Sequence, residues 1–247
     1  MTTGSLQIDI NADLGEGIGN DKFIMPYISS CSIACGGHYG DEKSMQDAVR
    51  LAKKYGVKVG AHPSFPDSDN FGRKVLTMTK SELTEAIFHQ VLRFQAVCET
   101  EDIQMHHIKL HGALYNYAAI DAPTADAVVE GINATKLRPK LFVPYGSILA
   151  SKAKNLLPLM YEAFIDRRYS NELKLLPRSE NRAIIETPQA AWDQLFSMVK
   201  FNTVTTVDGI EKMIKASTFC IHGDHNNSVE ILKYIRLKLV ENSIEIS

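Results

Sequence analysis

The sequence predicts an α/β protein built on a parallel sheet, and three observations carry that prediction. Seven short runs read as β-strands and alternate with helical runs along almost the whole chain. Repeated βα units require right-handed crossovers, hence a parallel sheet that is either closed as a barrel or open and doubly wound. Six of the seven runs end in ionisable residues, and the seventh, LFVPYG, ends in a Gly turn. Ionisable groups avoid apolar interiors, so charges just past apolar runs gather those ends around one polar pocket. In a parallel β/α barrel the C-terminal strand ends meet at one mouth, where chemistry is built, so the pattern points to an enzyme.

The first strand is IDINADL, followed by a short helix over 21–28 and the second strand, SIACG. Asp41 caps a helix running to Tyr55, with Met45, Ala48, Val49 and Ala52 as its apolar stripe. After a third strand over 57–61 comes HPSFPDSDNFGR, long for a βα connection and therefore a candidate functional loop. Thr79 and Glu82 form a capping box for a helix with Leu83, Ile87, Val91, Phe94 and Cys98 on one face. The fourth strand lies in HHIKLHGALYN, with His106 and His107 assigned to its entry turn at the opposite end. A helix from Asp121-Ala-Pro123 to about Thr135 precedes LFVPYG, the fifth strand. Next come a short helix over 147–155, a sixth strand over 159–165, and a helix capped at Thr187-Pro188 that carries Leu195, Met198 and Val199. TVTTVDG reads as a short extended piece ending in an Asp-Gly turn. TFCIHGD is the last strand, and Ser228 is expected to cap a closing helix with Leu232, Ile235 and Leu239. No repeat, low-complexity tract or linker divides the chain, so residues 1–247 read as one domain.

With 247 residues and 45% hydrophobic content, the chain can bury a large core. A net charge of −2 with no long block of one sign argues against nucleic acid or an anionic membrane as partner. No apolar run approaches the roughly 20 residues that span a bilayer, and the N-terminus lacks a signal layout, so a cytoplasmic protein is expected. Cys31, Cys98 and Cys220 read as reduced core residues; Cys35 stands apart because it lies near the His38 turn.

NADLGEG places Asp13 at a strand end and Glu16 just beyond it. Two such carboxylates separate into proton donor and base, share a cation, or merely favour a helix N-terminus. GGHYGD and GAHP set His38 and His62 on successive strand ends; with Asp13 they make a metal-capable set or an acid–base cluster. Lys109 and His111, two apart, share a strand face, as do His222 and Asp224. Asp166 and Arg167 open IDRRY, where Arg grips a carboxylate or phosphate bidentately. His225 reads as incidental and His89, mid-helix, as a surface or packing residue. The chain contains neither GxGxxG nor GxxxxGK[ST], so any ATP in the reaction falls to a partner.

The motifs INADLGEGIGND, IMPYISSCSIACGGHYGD, VKVGAHPSFPD, FGRK, KLHGALYN, FIDRRY, LLPRS, TVTTVDG and IHGD occur in the order found in the LamB/YcsF family, which the chain resembles from about 8 to 235. The resemblance implies an irregular, roughly seven-stranded parallel β/α barrel, similar to glycoside hydrolase and deacetylase barrels. It implies the A subunit of the ATP-dependent 5-oxoprolinases, which open 5-oxo-L-proline to L-glutamate with ATP as co-substrate and with two other subunits, B and C. Carried over by motif, Asp13, Glu16, His38, His62, His111, His222 and Asp224 are the expected catalytic set. Lys109, Asp166 and Arg167 are the expected substrate-binding set, and Asp13, His38 and His62 would be the ligands if a divalent metal is bound. Gly37, Tyr39, Ser64 and Leu110 depart from the family pattern without removing an ionisable group. Two other readings compete: a stand-alone metal-dependent amide or carbohydrate deacetylase, and a non-catalytic lactam-binding subunit.

Overall fold

The computed structural model describes residues 6–247. Strands β1 (Leu6–Leu14), β2 (Ser30–Ala34), β3 (Lys58–His62), β4 (Met105–Lys109), β5 (Lys140–Pro144) and β6 (Leu159–Phe164) pair in parallel in chain order. An antiparallel hairpin, β7 (Thr203–Thr205) with β8 (Glu211–Met213), lies outside this sheet. β9 (Thr218–His222) then joins β6 to β1 and closes a seven-stranded barrel. A short β10 (Ile244–Ile246) adds in parallel to the start of β1. The seven barrel strands are the seven runs read from sequence, and closure decides between the two sheet topologies.

Period-two alternation in β1 explains both surfaces of the barrel. Ile8, Ile10, Ala12 and Leu14 belong to the apolar core cluster. Asp9, Asn11 and Asp13 are equally buried but bond to side chains of other strands. Asp9 accepts hydrogen bonds from Ser29, Ser30 and Thr218. Asn11 donates to Glu162 and Thr218 at 2.9 and 2.7 Å. The barrel lumen is therefore a polar network, where branched aliphatics would be the usual filling.

The helices follow their caps. Asp41 accepts from Ser44 N to start α2 (Glu42–Tyr55), after a short α1 (Asp21–Ile24). Thr79 and Glu82 form the expected capping box of α3 (Lys80–Thr100). β4 ends at Lys109, within the stretch HHIKLHGALYN that holds the fourth strand, and α4 (Gly112–Ala118) takes up the rest of that stretch. At Gly112 the backbone takes φ +53°, and a Cβ there would meet the Gly72 carbonyl at 2.7 Å, so the chain turns and starts a helix. Asp121, Ser147 and Thr187 cap α5 (Ala122–Ala134), α6 (Ile148–Ala153) and α7 (Pro188–Phe201). α8 (Ser228–Glu241) departs from expectation: Ser228 lies inside the helix, and Asn227 occupies the cap position without a side-chain bond. No described helix is long and apolar enough to cross a membrane.

His106 and His107 lie within β4 rather than in an entry turn. They sit toward the strand's N-terminal end, as read, but His107 is fully buried in the lumen. It lies 3.1 Å from Ser32 Oγ and stacks on Phe142 with ring centroids 4.0 Å apart.

Candidate functional site

The C-terminal strand ends surround a pocket of about 590 Å³, within the range of small-molecule sites. Asp13, Glu16, Lys109, His111, Arg167, His222 and Asp224 line it; His38, His62 and Asp166 stand behind that wall. The segment over 165–187 folds across one side, held by short bridges from Arg167 to Ile184 and from Tyr169 to Leu175.

Lys109 forms the floor. A fully buried ammonium is costly unless paired. Its Nζ donates to Asp13 Oδ1 at 2.8 Å, Asn11 Oδ1 at 3.2 Å and Cys220 Sγ at 2.9 Å, and lies 3.0 Å from Glu162 Oε1. Burial alone would lower the Lys109 pKa, but the facing Asp13 carboxylate overrides it and holds the amine charged. Burial would raise Asp13, yet His62 and Lys109 keep it well below the carboxylate range. Burial would likewise raise Glu16, and hydrogen bonds to His111 and His38 pull it far down instead. The neighbouring charges thus favour the ionised form of both carboxyls.

Behind Glu16 lies a histidine cluster. Glu16 Oε1 is 3.0 Å from His38 Nε2 and 3.2 Å from His111 Nδ1, and His111 Nδ1 is 3.0 Å from His62 Nε2. The His38 and His111 rings stack 3.6 Å apart and nearly parallel. His62 Nδ1–H donates to the Lys109 carbonyl at 2.8 Å, and His111 Nε2–H donates to the Phe71 carbonyl at 2.9 Å. Burial pushes His38 down to about 4 and also lowers His111. Burial opposes the charged form of His62 too, but the Asp13 charge outweighs it and raises that ring.

The loop after β3 closes over this cluster. Phe71, at φ +54°, packs edge-on against His38 and His111. Gly72, at φ +62°, brings backbone so close that a Cβ would lie 2.9 Å from His38 and His111 atoms. Donor atoms of Glu16, His38, His62 and His111 all fall within 4.8 Å of one another. Asp13, expected as the carboxylate partner of His38 and His62, is not in this group; it turns Oδ1 to Lys109 and leaves Oδ2 3.4 Å from His62.

His222 occupies the opposite wall. Its Nδ1–H donates to Asp166 at 2.9 Å, and its backbone N–H donates to the same carboxylate. Burial would raise Asp166, but His222 holds it at about 2. Asp166, expected to bind substrate, is 1% exposed, lies outside the pocket lining and holds His222 through both the ring and the backbone N–H. Asp224 accepts from Arg178 at 2.7 and 3.1 Å and from Arg73. The buried Arg167 guanidinium donates to the Leu176 carbonyl, while its Nε has no protein partner.

Glu162, Arg73 and Arg178 escape a reading of the sequence alone. Glu162 sits singly in MYEAF, and Arg73 and Arg178 lie in FGRK and LLPRS, motifs that do not single out the side chain. His225, read as incidental, is buried and bonds to the Ile185 carbonyl at 3.0 Å, pinning the 165–187 segment. His89 lies on the surface beside Glu85. All four cysteines, Cys35 included, are buried and free.

Known proteins share the fold, and some share a related sequence. The LamB/YcsF family matches residues 8–247. The A subunit of a Staphylococcus carnosus 5-oxoprolinase is 39% identical over 248 residues, covering 98% of each chain. The solved lactam utilization protein of Thermus thermophilus is 35% identical, with a TM-score of 0.90 over 98% of this chain and 99% of that one. A family 4 carbohydrate esterase of Streptomyces lividans, at 10% identity and TM-score 0.51 over 99% of this chain and 92% of that one, shares the barrel fold alone. With the family matched from the first barrel strand to the C-terminus, the chain belongs to the LamB/YcsF family.

Proposed function

We propose that this chain is the lactam-opening A subunit of an ATP-dependent 5-oxoprolinase, converting 5-oxo-L-proline to L-glutamate together with subunits B and C. The observation that carries the reading is the His222–Asp166 pair, which faces a small pocket with a buried ammonium at its floor and a guanidinium on its wall. Full-length similarity to proteins named as the A subunits of 5-oxoprolinases supports the substrate class.

A lactam is a resonance-stabilised amide and a poor electrophile. Phosphorylation of its carbonyl oxygen by ATP creates a leaving group, and the lack of a phosphate-binding loop motif in this chain favours the partners for that step. Because Nδ1–H of His222 is committed to Asp166, Nε2 is the atom available to take a proton from attacking water. The charged set of Lys109, Asp13 and Glu162 supplies fixed electrostatics at the carbonyl, and Arg167 anchors the substrate carboxylate. One water adds at the activated carbon, the C–N bond breaks so that the ring nitrogen departs as the amine, and a second water hydrolyses the resulting acyl phosphate to the glutamate carboxylate and phosphate. The net reaction consumes ATP and two waters and releases glutamate, ADP and phosphate.

The test is glutamate release from 5-oxo-L-proline by the purified chain, with and without its partners. Turnover only in the assembled complex supports the reading. Full ATP-dependent turnover by the chain alone would remove the division of labour, and an inert complex would remove the substrate.

A further inference from the structure

We infer that Glu16, His38, His62 and His111 form a closed four-ligand site for a divalent transition metal of the zinc class, riveting four successive strand ends together. The four side chains follow or end β1, β2, β3 and β4 in turn, and their donor atoms lie within 4.8 Å of one another.

Spacing is the first argument. Bonds of about 2.0–2.2 Å in a tetrahedron set ligand atoms roughly 3.3–3.6 Å apart. The observed separations are 3.0 Å (Glu16–His38), 3.2 Å (Glu16–His111), 3.0 Å (His62–His111) and 3.8 Å (Glu16–His62).

Lone-pair direction is the second. His62 and His111 each give one ring N–H to a backbone carbonyl, so in the neutral rings the opposite nitrogens carry bare lone pairs. Those two nitrogens face each other at 3.0 Å beside a carboxylate oxygen. Bare acceptors at that distance repel, and either a proton on His62 Nε2 or a metal ion among them removes the repulsion; elemental analysis of the refilled chain tells the two apart. An imidazole fixed from behind by a carbonyl is the arrangement that orients histidine ligands toward a metal.

Donor chemistry is the third. Three imidazoles and one carboxylate suit zinc, and equally cobalt as a probe, better than magnesium or calcium, which take mainly oxygen ligands. With four protein ligands and Phe71 packed over the rings, the site leaves no evident position for a substrate oxygen. The metal would thus hold the Glu16 and His111 wall of the pocket and the loop above it, rather than activate water.

The metal site stands independently of the lactam reading, because its test reads metal rather than turnover. The full chain is stripped with chelator, refilled with zinc or cobalt, and assayed by elemental analysis, visible spectroscopy and thermal melting. Expected are one equivalent of metal, the intense ligand-field bands of tetrahedral cobalt, and a rise in Tm on refilling. His38→Ala and His111→Ala should each weaken cobalt binding by roughly 10-fold or more, while His106→Gln and His222→Gln should retain it. Folding of each variant is checked by circular dichroism, and Glu16→Gln serves where an alanine variant does not fold. Failure of the refilled wild type to retain metal, octahedral cobalt spectra, or undiminished binding in folded cluster variants would overturn the site.

Discussion

The Lys109 ammonium and the Asp13 carboxylate meet at 2.8 Å in the barrel lumen, both almost wholly removed from solvent. A pair so placed is stable only while complete, since removal of one partner leaves an uncompensated buried charge at a cost of about 3–5 kcal/mol. Lys109 also faces Glu162, so Lys109→Met strands two carboxylates whereas Asp13→Asn strands none outright. Urea unfolding should show Lys109→Met destabilised by about 3–5 kcal/mol and Asp13→Asn by less. The double variant should be more stable than additivity predicts. Additive losses would mean that the pair is not coupled in the folded chain.

His222 and Asp166 predict a graded loss of activity. His222→Gln should lower kcat of the assembled complex by roughly 10²–10⁴-fold with Tm little changed, as expected for removal of a general base. Asp166→Asn acts only through the ring it orients, so it should reduce kcat and shift the pH profile while His222 remains in place. Unchanged turnover in His222→Gln would move the base elsewhere in the pocket.

The histidines at the other end of β4 predict acid sensitivity. Burial, with Lys140 and Lys58 adding to it, holds His106 at about 4; burial, with His106 adding to it, holds His107 well below its usual value. Free histidine titrates near ~6.5, so below that pH the unfolded chain binds more protons than the folded one. Their contribution is therefore complete above ~6.5 and is lost as pH falls toward about 4. For the fully buried His107 the slope reaches about 1.4 kcal/mol per pH unit. Unfolding free energies across this window should decline for the wild type and decline less steeply for His106→Gln. Parallel profiles would assign the acid loss to other groups.

Thiol chemistry offers a simple check on the core. Burial pushes Cys35 and Cys98 up to about 12 and raises Cys31 and Cys220 as well, so none is a ready nucleophile. A thiol reagent at neutral pH should find no fast-reacting group in the native chain and all four cysteines after denaturation. Rapid labelling of Cys35 in the native state would place it on an accessible surface.

The strands were legible because each is an apolar run bounded by turn residues, and the caps at Asp41, Thr79, Asp121 and Thr187 because their chemistry is local. What escaped reading depends on closure. Glu162 is one charge inside β6, and only its register against β9, with Phe164 level with Cys220, shows that this face looks inward at Lys109. Arg178 meets Asp224 across 46 residues of chain, a pairing without a local signal. Asp13 and Glu16 are three residues apart, yet one lies near the end of a strand ladder and the other beyond Gly15. Nothing local indicates that the first turns to Lys109 and the second to the histidines.

Gly72 tests how closely the loop over the histidine cluster must approach. Its φ of +62° disfavours any L side chain, and a methyl there would lie 2.9 Å from His111 Cδ2 and His38 Cβ, contacts that backbone and packed rings cannot easily relieve. Gly72→Ala should cost about 1–3 kcal/mol in unfolding free energy and displace the His38–His111 stack. Imidazole NMR resonances of the two rings should shift while those of His106 and His107, at the far end of the barrel, stay put. Wild-type stability together with unmoved His38 and His111 resonances would show that the loop does not press on the cluster.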